Sequence, residues 1–140
     1  MKLPLTLNKD SREPIYHQIE QQLKTVIASG QLLPGSPLPS IRILAKDLGV
    51  SVITTRRAYQ NLEYAGFITT IQGKGTFVAE IDSQLKTETK NSEIKRAMTD
   101  AIQTALQYNY SFAEIEKLFL EEIKRLRSED DETNNNVDRR

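Results

Sequence analysis

The sequence predicts an α+β fold: an N-terminal winged helix-turn-helix, then a short two-helix C-terminal tail. Three observations carry this. Residues 41–48 and 52–62 are short amphipathic stretches separated only by a turn containing Gly49. Residues 67–78 read as strand, glycine turn, strand. From residue 92 onward the apolar residues fall at spacings of three and four.

The chain opens with Leu3, Leu5 and Leu7 alternating weakly around Pro4, which predicts an extended arm or a short edge strand. Pro14 suits the first turn of a helix, where its missing N–H costs nothing. Ile15, Ile19, Leu23 and Val26/Ile27 form the apolar stripe of that helix, and Gly30 ends it. His17 lies off the stripe. As the single histidine it cannot anchor a histidine zinc site or support a Ser-His-Asp triad. Leu32 to Pro39 holds three prolines and a glycine and reads as a rigid connector. Tyr16 and Tyr59 read as core-edge aromatics.

Ser40 is a suitable N-cap for the next helix, whose stripe is Ile41, Leu44, Ala45 and Leu48. Ser51 caps the one after it, with Thr55, Ala58, Tyr59 and Leu62 facing inward. On that wheel Ile53, Arg57 and Gln60 point most directly away from the core. Thr54 and Arg56 flank them, and Ser51 with Val52 sits at the N-terminus, the end that meets base edges in this motif. Gln72-Gly73-Lys74-Gly75 places one cation between two glycines at a hairpin tip. It lacks the spacing of a nucleotide P-loop.

At 140 residues, one domain with a small appendage is expected. The formal net charge is zero, but residues 1–80 hold nine basic and six acidic side chains, and residues 81–140 hold ten and thirteen. A basic half and an acidic half suit a nucleic-acid-facing end and a far end. There is no cysteine, so disulfides, thiol catalysis and thiolate metal sites are excluded. No run approaches the length of a membrane span, and no signal peptide is legible, so a cytoplasmic location is expected. No cofactor, no metal site and no enzymatic constellation is expected.

Residues 80–91 are polar and read as a linker or a frayed helix start. A helix is predicted from Ser92, with Ile94, Ala97, Met98, Ala101, Ile102 and Ala105 on one face. Asn109 is a stop. Ser111 and Glu114 form a capping box for a last helix with Phe112, Ile115, Leu118, Phe119, Ile123 and Leu126. Residues 128–140 are polar throughout and expected to be disordered. The expected organisation is therefore 1–79, linker 80–91, helical region 92–127 and polar tail 128–140. The two C-terminal helices are too short for a core of their own. Burial against a second copy is the favoured solution, with Ile94, Met98, Ala101, Ile102, Ala105, Phe112, Ile115, Phe119 and Ile123 at the dimer surface. Packing on the same chain is the alternative.

Ordered blocks of the sequence carry a resemblance. They are Pro14-Ile15-Tyr16 with Gln18-Ile19, Leu33-Pro34-Gly35, Leu38-Pro39-Ser40 with Arg42, Leu48-Gly49-Val50-Ser51, Arg56-Arg57-Ala58-Tyr59, Gly66-Phe67-Ile68 and Gly73-Lys74-Gly75-Thr76-Phe77-Val78. With these the chain resembles the GntR family of bacterial transcription regulators, and within it the YtrA-like branch. The resemblance runs from Pro14 to Val78. It implies a winged helix-turn-helix that binds a palindromic DNA operator as a homodimer, often repressing transport genes. It implies contacts from Ser40 and Arg42, from Ser51, Thr54 and Arg56, and from Gln72, Gly73 and Lys74 at the wing. The chain departs from many relatives at Val52 and Ile53, where they carry arginine and a polar residue. The guanine-reading fork is absent, so thymine methyls, Arg42, Arg56 and DNA shape are expected to carry specificity. A winged-helix protein–protein adaptor is the competing reading; its weakness is that it has no use for a basic wing. A small-molecule effector of unknown identity could sit among the C-terminal helices near Met98, Ile102, Phe112 and Phe119, residues that read first as dimer core.

Overall fold

The computed structural model describes residues 2–137. The helices are α1 (Ile15–Ala28), α2 (Ile41–Leu48), α3 (Val52–Tyr64), α4 (Ser83–Gln107) and α5 (Phe112–Val137). The strands are β1 (Pro37–Leu38), β2 (Ile68–Ile71) and β3 (Gly75–Val78). The chain divides into two compact units between Glu93 and Ile94.

In the first unit α3 packs on both α1 and α2. The inward stripes read from the sequence are the buried residues: Ile19 and Leu23 on α1, Leu44 and Ala45 on α2, and Thr55, Ala58, Tyr59 and Leu62 on α3. Ile19, Leu23 and Leu62 have no solvent exposure. Burying each such side chain stabilises by about 1.5–3 kcal/mol before entropy is counted. Thr55 is equally buried, and its hydroxyl donates to the Ser51 carbonyl at 3.1 Å, so it leaves no orphaned polar group. The Tyr59 hydroxyl donates to the Pro39 carbonyl at 2.7 Å, tying the connector to α3.

The sheet is antiparallel with order β1-β3-β2. Ile68 pairs with Val78 and Ile71 with Gly75, so the hairpin closes around residues 72–74. β1 corrects the connector reading: Pro37 and Leu38 pair with Phe77 and Thr76. Pro37 is tolerated because β1 is an edge strand.

The N-terminal arm forms no strand, and a tight turn bends it where the Leu5 N–H bonds to the Leu3 carbonyl at 2.9 Å. Leu3 is buried, and Leu5 and Leu7 pack on the core. Two glutamines of α1 stitch the arm down. Gln22 accepts from the Thr6 N–H at 2.8 Å and donates to the Thr6 carbonyl at 2.7 Å. Gln18, itself buried, makes the same pair with Asn8, each bond 2.9 Å.

Two boundaries differ from expectation. α4 begins at Ser83, so most of the expected linker 80–91 is helix. Asp82 caps it, accepting from the Leu85 N–H at 2.8 Å, and Leu85 packs on the core of the first unit. No proline or glycine interrupts the helix before Gln107. Likewise α5 continues to Val137, through most of the tail expected to be disordered. It contains no breaker, and Arg125 bridges Glu122 and Glu129 along the helix surface. Residues 138–140 of that tail lie outside the described residues.

In the second unit the capping box forms as read. Ser111 Oγ accepts from the Glu114 N–H at 3.1 Å, and Glu114 accepts from the Ser111 N–H at 3.3 Å. Asn109 marks the stop after α4, with φ of 66°.

Leu62→Ala is expected to lower unfolding free energy by about 2–5 kcal/mol, read as a lower urea midpoint at unchanged slope. Burial also raises the Tyr59 phenol above its ordinary range. Above about pH 10 the unfolded chain releases this proton while the folded chain retains it, so stability falls as pH rises through that window. A Tyr59→Phe variant titrated alongside should lose that part of the alkaline decline; an identical decline would remove Tyr59 as its source.

Candidate nucleic-acid interface

The helix-turn-helix reverses at Gly49, which takes a left-handed φ of 67° that other residues adopt only with strain. Its N–H bonds to the Lys46 carbonyl at 3.2 Å and the Val50 N–H to Ala45 at 3.0 Å. Ser51 then caps α3 by accepting from the Thr54 N–H at 3.1 Å. The Ser51 hydroxyl proton goes to Thr54 Oγ1 at 2.8 Å. This leaves Thr54, and not Ser51, with a hydroxyl proton free for an outside acceptor.

The surface around this N-terminus is open. Ile53 is 77% exposed, Val52 36%, and Arg42 and Arg56 are exposed. Ser40 caps α2, accepting from the Ile43 N–H at 3.2 Å. Ile43, which the sequence reading passed over, is 56% exposed beside Arg42. Its one available signal was an apolar residue off the α2 stripe. At the wing, Gln72, Gly73 and Lys74 are all exposed. The Lys74 N–H bonds to the Ile71 carbonyl at 3.0 Å, and Gly73 holds the turn with φ of 79°.

Arg57 is exposed, as the wheel has it, but it is not free. The wheel aims it away from the core, yet its guanidinium lies 3.9 Å from the centroid of the Tyr16 ring on α1. The long stem folds the charge onto an aromatic face, a favourable cation–π arrangement. Its planar face is therefore occupied. Tyr16, read as a core-edge aromatic, is the platform. His17 is half-buried and engages Glu13 and Gln21, which accounts for it without a functional role.

Lys9 was assigned nothing by sequence reading. Its ammonium donates to the Gly49 carbonyl at 3.3 Å, across forty positions of sequence, a contact no local pattern encodes.

In the second unit the apolar residues remain largely in solvent. Ile94 and Met98 on α4 are 54% and 52% exposed, and Phe112 on α5 is 67%. Ile123 and Ala101 are also exposed, and Ile102, Ala105 and Phe119 are half-buried. Ile115 differs: it is buried within the single chain, so it is not a free contact residue for a partner. Ile102, Phe112, Ile115, Glu116, Phe119 and Leu120 line an open cleft of about 490 Å3. Met98 is not among them. Among the described residues no cluster suits a metal ion, and no helix is long and apolar enough to cross a membrane.

Residues 15–78 match the family of bacterial regulatory proteins named gntR. The chain is 35% identical, over 114 residues, to the HTH-type transcriptional repressor YtrA of Bacillus subtilis, covering 81% of this chain and 85% of that protein. The chain belongs to the GntR family. Within the family it is YtrA-like, because the match to YtrA extends beyond the DNA-binding segment. It is also 46% identical over 76 residues to the HTH-type transcriptional repressor NagR of Bacillus subtilis, but spans only 31% of NagR. Among solved structures it resembles a protein described as a transcriptional antiterminator from Listeria monocytogenes EGD-e, with 35% identity and a TM-score of 0.61, covering 85% of this chain and 89% of the other. The α+β winged helix-turn-helix and the two helices after it are those of this family. The chain is a DNA-binding transcription regulator, not an enzyme.

Separate and combined Tyr16→Ala and Arg57→Ala variants are expected to show a coupling in unfolding free energy of about 0.5–1 kcal/mol. Additive losses would mean that the stacked geometry contributes nothing to stability.

Proposed function

We propose that the protein is a dimeric repressor that reads an inverted repeat in a promoter. The observation that carries this is the N-terminus of α3, where Ser51, Val52, Ile53 and Arg56 are exposed beside half-buried Thr54 and no described residue covers Ile53. Arg56 and Arg42 contact base edges, and Val52 and Ile53 meet thymine methyls. Thr54 donates its hydroxyl proton to a phosphate. Ser40 and Ser51 act as caps that orient two helix N-termini toward the backbone. Lys74, carried on Gln72-Gly73, and Arg57, held by its ring stack, contact phosphates and fix register without reading sequence. A protein working on a promoter acts in the cytoplasm.

Dimerisation is supported by the second unit. It exposes Ile94, Met98, Phe112 and Ile123 together with Leu118, Leu120 and Leu126, more apolar surface than two solvated helices need. A second copy laid against these residues, and against Ala101, Ile102, Ala105 and Phe119, would cover it. An isologous dimer gives two recognition helices the symmetry of a palindrome. A small effector, if the system uses one, would compete with this packing for the cleft beside Ile102, Phe112 and Phe119. It would act by favouring one spacing of the reading heads. Both curated relatives described above are repressors by name, and YtrA is matched over most of its length. This favours repression over antitermination. The adaptor reading leaves the exposed wing cation and the open N-terminus of α3 without a role.

Selection of bound duplexes from a random pool, at a fixed salt concentration, is expected to return an inverted repeat with A·T-rich half-site positions opposite Val52 and Ile53. Return of no consensus by a folded protein would count against specific DNA reading. On the recovered duplex, Arg56→Ala is expected to cost about 1–3 kcal/mol of binding for each half-site and to relax the same position in both. Unchanged preference at every position would remove Arg56 from base contact. Lys74→Ala should weaken all duplexes about equally; a loss confined to the selected sequence would make the wing a base reader.

A further inference from the structure

We propose that Lys9 on the N-terminal arm is a further DNA-contacting residue, neutralising one backbone phosphate beside the turn of the helix-turn-helix. The inference rests on the DNA-binding reading above and adds an element to it: the arm.

Thr6 and Asn8 of the arm are each held by a side chain of α1. Gln22 pairs with both backbone groups of Thr6, and Gln18 with both backbone groups of Asn8. Gln18 also donates to the Glu13 carbonyl at 2.9 Å, which leaves its amide fully committed. Leu3 is buried in the core. An arm anchored this thoroughly cannot wander, so the residue after Asn8 has a fixed starting point. That residue is Lys9, and its ammonium reaches the Gly49 carbonyl.

Gly49 lies two residues before Ser51, at most about 7 Å along the backbone from the cap of the recognition helix. A phosphate that approaches the N-terminus of α3 therefore comes within the range over which a surface cation acts, about 8–10 Å at ordinary salt. The ammonium has three N–H donors and spends one on Gly49. Lys9 is exposed, and among the described residues no carboxylate pairs with it. The Gly49 contact places the charge here, and among the described residues no second acceptor bonds to the ammonium.

A purely structural account exists: a cation at the C-terminal end of α2 interacts favourably with the helix dipole. The two roles differ in what salt does to DNA binding. Each neutralised phosphate contributes about 0.9 to the slope of log affinity against log salt. The test uses the full chain and two duplexes, an inverted repeat recovered by selection and a shuffled duplex of the same composition. Lys9→Gln is expected to lower the slope by about 1.8 on both, about 0.9 for each subunit of the bound dimer, with equal fold losses of affinity, while Lys9→Arg retains the slope. A Lys9→Gln slope equal to that of the unsubstituted protein overturns the proposal, whatever happens to its melting temperature. A loss confined to the selected duplex also overturns it, because a phosphate contact carries no sequence information. Failure of the unsubstituted protein to bind either duplex defeats the DNA-binding reading and this proposal together.

Discussion

The packing of α3 against α1 and α2 sets the position of the exposed groups at the N-terminal end of α3. Ile19 and Leu23 from α1 share one core with Ala58 and Leu62 from α3, with solvent fully excluded from all four. Ala58 lets the helices approach, and the larger side chains fill the space around it. Because one face of α3 is committed this way, its opposite face is committed to solvent. Ile53 and Arg56 cannot turn inward without exposing Thr55 or Ala58. The Tyr59 bond to Pro39 and the Gly49 reversal then fix where α2, and with it Ser40 and Arg42, stands against α3. The geometry of recognition follows from hydrophobic burial behind it.

On the outer face, polar chemistry is arranged with unequal freedom. Ser51 spends both its lone pair and its proton locally, Arg57 spends the face of its guanidinium on Tyr16, and Arg56 and Lys74 have no such tether among the described ion pairs and ring contacts. Placing Val52 and Ile53 where an arginine fork could stand makes the surface unusually apolar for one that meets DNA. In the proposed mode of binding, discrimination there comes from methyl contact and shape rather than from paired hydrogen bonds.

The first unit was legible because its elements announce themselves locally. The stripes, the caps at Ser40 and Ser51, the Gly49 reversal and the hairpin around Gly73 are all readable within a few residues, as is the Ser111 cap in the second unit. What was missed depends on long-range or marginal terms. β1 exists only because β3 offers it a ladder. The Lys9–Gly49 and Tyr16–Arg57 contacts join positions about forty residues apart. The start of α4 was placed late because Ser92 resembles a cap, whereas Asp82 performs that role and a polar run without breakers simply stays helical. The extension of α5 to Val137 has the same cause. For the recognition surface, the wheel identified the exposed residues correctly, but not how a long side chain such as Arg57 folds once it has left the helix. Among the apolar residues of the second unit, periodicity alone could not separate Ile115, already buried, from Phe112 and Ile123.

The central claim is that two copies of this surface act together on one duplex. The most direct measurement is a hydroxyl-radical footprint of the full-length protein on a selected duplex. The account predicts two symmetric protected patches whose centres lie about one helical turn, roughly 10 base pairs, apart or a multiple of it. A single continuous patch the width of one domain, unchanged as protein concentration rises, would contradict it.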